Sequence, residues 1–150
     1  MRRIVLDGGY IATVDALGTE HRHGHLVIEN GRITTVADGP APASVRDGAE
    51  VVDAAGCLIT PGLVNTHHHL YQWLTRGYAQ DAILFDWLTA LYPLWSQIDA
   101  RLTGIGAAGG MAVLARSGCT TVGDHHYIFP QGSGDIVGAI VDASQRIGVR

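Results

Sequence analysis

Two regimes of hydrophobic spacing divide the chain. Up to about residue 51 the apolar residues come in short runs punctuated by Gly, Asn and Asp, the pattern of β-structure. Residues 3–6 (RIVL) open a strand, and residues 10–14 (YIATV) continue or follow it across the Asp7-Gly8-Gly9 turn. Residues 25–29 (HLVIE) and 32–36 (RITTV) flank Asn30-Gly31, a pair suited to the positive φ angles of a type I′ hairpin turn. Residues 38–48 read as a Gly/Pro/Ala-rich loop, and 50–53 as a further strand.

From Thr60 onward strands alternate with helices, so the chain reads as α/β. A Pro61-Gly62 turn releases residues 63–65 as a strand. Leu84, Trp87, Leu88, Leu91, Leu94, Trp95 and Ile98 recur at helical spacing. Pro93 lacks the N–H that a helix interior needs, which predicts two helical pieces with a break near Tyr92-Pro93. Asp99 is a suitable N-cap for a helix over residues 101–116, with Gly118 closing it. Gly104, Gly106, Gly109 and Gly110 each cost that helix about 1 kcal/mol relative to Ala, which suggests close packing of helix on sheet. Residues 119–123 (CTTVG) read as a second strand and 135–147 as the helix after it.

Composition narrows the partners. A formal charge of −4 offers no basic surface for nucleic acid or an anionic membrane. No apolar run is long enough to span a bilayer, and Asp7 interrupts the only N-terminal stretch resembling a signal peptide. Cys57 and Cys119 are too few for a disulfide framework and read as reduced thiols of a cytoplasmic protein.

The chemistry concentrates at His67-His68-His69. On an extended strand His67 and His69 share a face while His68 points the opposite way. Two imidazoles on one face make half of a divalent-metal site, suited to Zn2+, with Fe2+ as the neighbouring choice. His21, His23 and His25 also alternate, but in the β-rich part, where they read as a solvated strand edge.

The stretch 61–72, PGLVNTHHHLYQ, resembles the PGxVNxHxH first-strand signature of the amidohydrolase superfamily. The passage 51–69 resembles its usual transition from a small β-domain into a (β/α)8 barrel. Gln72 matches the HxHxxQ spacing of the guanine-deaminase-like and triazine-aminohydrolase branch, and residues 84–98 and 117–132 are similar to the same branch. The resemblance implies that residues 1–58 are N-terminal strands of a β-sandwich domain and 59–150 the first two β/α units of a barrel. Both would be incomplete, since such a barrel takes about 250 residues. His67 and His69 become the metal ligands by this resemblance. The other ligands and the acid/base glutamate would lie on later strands, leaving no catalytic acid or base within the 150 residues.

By the same resemblance Gln72 hydrogen-bonds a purine edge; Trp73, whose ring could stack on a purine, and Tyr127, just after the second strand, are further candidate substrate contacts. Asp124, His125, His126 and Tyr127 would wall the pocket, at most one of the two histidines pointing inward. Trp87 and Trp95, at helical spacing, read as core. The implied activity is hydrolytic deamination of a purine-like small molecule, 8-oxoguanine to urate and ammonia first, with guanine or triazine rings as alternatives. The parent enzyme would be a possible homo-oligomer. A reading of another class is a non-catalytic His-rich metal-binding module.

Overall fold

The computed structural model describes residues 2–150 as two compact units, the first running to Pro61 and the second comprising Gly62–Arg150. The first contains β1 (Arg3–Ala12), β2 (Glu20–Glu29), β3 (Arg32–Asp38), a single helical turn α1 (Ala43–Arg46), β4 (Glu50–Asp53) and β5 (Leu58–Ile59). These strands form a sheet in the order β3-β2-β1-β4, with β5 also on β1. Strand β1 runs antiparallel to β2 and parallel to β4 and β5. Among the described residues of this unit there is no second sheet to make a sandwich.

Strand β1 is continuous where the sequence suggested a turn. Gly8, at φ +82°, sits in a bulge between the Asp7↔His25 and Gly9↔Gly24 pairs, so the chain bends without leaving the sheet. The strand stops at Ala12 and Val14 takes φ +55°, so residues 13–14 do not extend it. The Asn30-Gly31 turn has both φ angles positive, at 51° and 79°, as a type I′ connection requires. Val5, Val27 and Ala41 are buried together, covered by Val45 of α1 and by Ala49. The loop expected over residues 38–48 thus carries a short helix.

The histidines at 21, 23 and 25 require a correction. They lie in β2, which is flanked by β1 and β3 and is not a sheet edge. The irregular pairing near Gly24 breaks simple alternation. His25 is consequently 5% exposed, with Nδ1 2.9 Å from the Gly39 carbonyl, whereas His23 is exposed.

The second unit contains β6 (Leu63–His68), a 3-10 helix (Leu70–Thr75), α2 (Leu84–Trp95), α3 (Ala100–Arg116), β7 (Cys119–Asp124) and α4 (Ile136–Ile147). Strands β6 and β7 pair in parallel, Leu63 with Cys119 and His68 with Asp124. A parallel pair needs a crossover, which the helices between them supply. On the other side of β7, the Val122 amide donates to the Arg150 carbonyl and the Arg150 amide to the Thr120 carbonyl, both at 2.8 Å.

Pro93 does not split α2. It lies two residues before Trp95, the last residue of the helix, so only the terminal turn loses a backbone bond. Burial of Leu91 and Trp95 holds that turn in place. The Asp99 carboxylate accepts from the Leu102 amide at 2.7 Å, starting α3 one residue earlier than expected. Gly118, at φ +87°, follows its C-cap.

The glycines of α3 meet helices, not the sheet. A Cβ on Gly104 would lie 3.5 Å from Ala139 of α4. One on Gly106 would be 3.1 Å from Leu74, and one on Gly110 only 2.7 Å from the Trp73 indole. Gly109 is exposed and its Cβ position is open. Leu70, Ala107, Met111 and Ala143 form one core, and Tyr71, Leu91, Trp95, Ile98 and Ile128 another, with Trp87 packed against the latter. No helix among the described residues is long and apolar enough to cross a membrane.

Candidate functional site

The parallel ends of β6 and β7 bring histidines from both strands together. The alternation expected of β6 holds locally: the Nε2 atoms of His67 and His69 stand 3.3 Å apart. Tetrahedral zinc with Zn–N bonds of about 2.0–2.1 Å needs ligand nitrogens about 3.3 Å apart, so this pair fits such an ion. The His69 Nδ1–H donates to the His125 carbonyl at 2.7 Å, which leaves the Nε2 lone pair directed at the pair's shared space. The Asn65 side chain accepts from the His67 amide at 3.1 Å. The His125 ring stacks on His67, with centroids 4.4 Å apart and planes 14° from parallel. Among the described residues no cluster of three or more His, Cys, Asp or Glu could hold a metal, so His67 and His69 stand as a pair of candidate ligands.

His68 is engaged elsewhere. Its Nε2 accepts from the Trp73 indole N–H at 3.0 Å. Burial pushes its pKa below the ordinary histidine value, the Asp124 carboxylate opposing that shift, and a neutral ring can accept this bond. Trp73 is thereby held at its polar edge, with Gly110 close against the ring and the Arg76 guanidinium 4.9 Å from the ring centroid.

Gln72 sits in the 3-10 helix that follows β6. Its Nε2 donates to the hydroxyls of Tyr127 at 3.2 Å and Tyr71 at 3.3 Å. Burial raises the pKa of Tyr71, which stays a neutral phenol. Tyr127 packs edge-on against His69, with centroids 5.3 Å apart. His67, His69, Gln72, Trp73 and Arg76 all line an open cleft of about 540 Å³; Tyr127 reaches it through Gln72.

Two residues of the β7 end bond on the other side. Asp124 Oδ1 accepts from the Leu70 amide at 2.9 Å, immediately after His69 in the chain. His126 Nε2 lies 2.7 Å from the Ile128 carbonyl, and the ring packs against Tyr71 and Phe129. Sequence spacing did not choose between His125 and His126; the structure turns His125 to the histidine pair and packs the His126 ring against Tyr71 and Phe129. Arg76 carried no signal, since a lone arginine in a loop resembles any solvated charge.

Known proteins resemble this chain in sequence and in fold. The 8-oxoguanine deaminase of Pseudomonas aeruginosa is 39% identical over 129 residues, which are 85% of this chain and 28% of that protein. The 5-methylthioadenosine/S-adenosylhomocysteine deaminase of Nitratidesulfovibrio vulgaris (strain DP4) is 37% identical over 125 residues, 83% of this chain and 28% of that one. Among solved structures, atrazine chlorohydrolase from Arthrobacter aurescens TC1, complexed with zinc, shares the fold with a TM-score of 0.83 at 24% identity. That match covers 98% of this chain and 34% of the other. The chain therefore spans under a third of the length of the curated relatives it matches. The Amidohydrolase family model matches residues 58–150, the stretch holding β6, its facing histidines and the β7 end that orients them, and the chain belongs to that family.

Proposed function

We propose that this chain is part of a zinc-dependent aminohydrolase that removes an exocyclic amine from a purine-like ring, with 8-oxoguanine, yielding urate and ammonia, as the substrate. The observation that carries the metal reading is the 3.3 Å separation of the His67 and His69 Nε2 atoms. The two relatives are both deaminases, which supports the reaction class, and the greater identity to the first supports the substrate. In the reading we favour, β6 and β7 are the first two strands of a (β/α)8 barrel, and the site lies at their C-terminal ends.

His67 and His69 would hold the metal through Nε2. When bound, the ion supplies Lewis acidity and makes water a nucleophile near neutral pH. The chain's own residues do the positioning. The His125 carbonyl fixes the His69 tautomer and its ring holds His67 from the side. Tyr71 and Tyr127 both accept from the Gln72 amide nitrogen, and the carboxamide oxygen would then accept from a ring N–H donor of the substrate. The indole of Trp73 forms part of the wall on which a flat heterocycle can lie. Proton transfer to the departing ammonia requires an acid or base that these residues do not supply.

The test is ammonia release by the full polypeptide its gene encodes, loaded with zinc, on 8-oxoguanine, guanine and 5-methylthioadenosine. Preferential turnover of 8-oxoguanine is expected. Preference for 5-methylthioadenosine would move the assignment to nucleoside deamination, and metal-loaded protein inert on all three would overturn it.

A further inference from the structure

We propose that Arg76 is a specificity-determining residue of the cleft, donating to a carbonyl oxygen on the end of the substrate ring that does not react; this rests on the deaminase reading above. Arg76 shares the cleft with His67, His69, Gln72 and Trp73. Among the described residues that line it, Arg76 carries the only permanent charge, with no lysine or carboxylate beside it. Among the described residues Arg76 also forms no ion pair. Its guanidinium donors are therefore not spent on an acidic partner.

The guanidinium is held in place by an aromatic ring. Its carbon lies 4.9 Å from the centroid of the Trp73 ring, within the range of a cation–π contact. The indole is fixed in turn. Its N–H donates to His68 Nε2 at 3.0 Å, and Gly110 leaves it room, since a Cβ there would fall 2.7 Å from the ring. The Arg76 amide donates to the Trp73 carbonyl at 3.4 Å, closing the last turn of the 3-10 helix. A guanidinium resting on a ring keeps the N–H groups in its own plane free to donate, and these match oxygen acceptors.

Position assigns the end of the ring. Gln72 stands near the histidine pair, because Tyr127, which accepts from it, packs against His69. Arg76 follows Gln72 by four residues, about 8 Å along a 3-10 helix at its rise of about 2 Å per residue. The carbon that loses its amine must lie at the histidine pair, so a bicyclic ring filling the cleft turns its opposite edge to Arg76. In 8-oxoguanine that edge carries the C8 carbonyl, which guanine lacks.

Arg76→Met, which keeps a long stem on the indole and removes the charged donors, tests this in the full polypeptide loaded with zinc. Arg76 is exposed, so the replacement leaves the core intact. kcat/KM for 8-oxoguanine is expected to fall about tenfold or more, mostly through KM, as for a lost hydrogen bond to a charged group. Turnover of guanine and zinc content are expected to stay near wild type. Arg76→Lys, which keeps the charge without the planar fork, should fall between. Urate carries the same carbonyl edge without the amine, and its affinity by calorimetry should weaken about tenfold in Arg76→Met, which decides the matter if guanine turns over too slowly to measure. Equal losses on both purines, as a merely structural role would give, or unchanged urate affinity would overturn the role of Arg76 alone. Wild-type protein inert on 8-oxoguanine and without affinity for urate would overturn the substrate reading, and this role with it.

Discussion

His67 and His69 each offer one nitrogen to the same point in space, whereas His68 spends its own on the Trp73 indole. Replacing either outer histidine with Ala should abolish zinc binding and turnover together, because a two-ligand face cannot lose one ligand and keep the ion. His68→Ala should keep zinc near wild type, with its cost appearing in stability through the freed indole N–H. Metal analysis of the three purified variants checks this; His68→Ala as depleted as His67→Ala would contradict the orientation of the strand. Gln72→Ala should retain zinc and lose catalytic efficiency by about 1–3 kcal/mol, as expected when a polar contact is left unsatisfied. Steady-state kinetics on the zinc-loaded enzyme measures it.

The glycines of α3 divide by what stands opposite each one. Gly110→Ala should destabilise the fold by about 1–3 kcal/mol, since the new methyl meets the Trp73 ring at 2.7 Å and overpacks it. Gly109→Ala, facing open space, should stabilise by up to about 1 kcal/mol through helix propensity. Paired denaturant melts compare the two. In the loop before β2, Asp15 accepts from the amides of Thr19 and Leu17, both at 3.0 Å, and chiefly the Thr19 bond lowers its pKa to about 2. The lowered value means that the loop's support is intact above the ordinary carboxylate range and is lost as pH falls through about 2. The carboxyl carbon of Asp15, followed by NMR, should titrate there.

These elements also show what the sequence could and could not reveal. Asn30-Gly31, the Asp99 cap and the His67/His69 alternation are local geometry, and local residue order displays them. The continuity of α2 through Pro93 depends on buried Leu91 and Trp95, and the burial of His25 on the bulge opposite it. The choice between His125 and His126, and the partners of Gly106 and Gly110, come from packing against residues distant in the chain, which no window of sequence contains.

At the scale of the whole molecule, the 150-residue chain exposes Leu63 and Val64 on β6 by 58% and 61%, and Leu84 and Phe85 at the start of α2 by 72% and 75%. A short parallel sheet beside such apolar surface favours association with other chains. Expressed as these 150 residues alone, the polypeptide should self-associate and release no ammonia from 8-oxoguanine above a His67→Ala control. Sedimentation velocity and an ammonia assay test both parts; a cleanly monomeric, active chain would contradict them. The bond from His69 to the His125 carbonyl spans 56 residues of sequence, with further consequences in time. At about 5–20 residues per second, a ribosome needs roughly 3–11 s to make what separates donor from acceptor. Throughout that interval the two histidines are tethered as near neighbours but lack the carbonyl that selects their tautomer. A nascent chain thus presents an unselective imidazole pair, one that copper would bind in preference to zinc wherever it is free. Under the metal reading proposed above, correct metallation would depend on which ions the cell leaves available during synthesis as much as on the finished site.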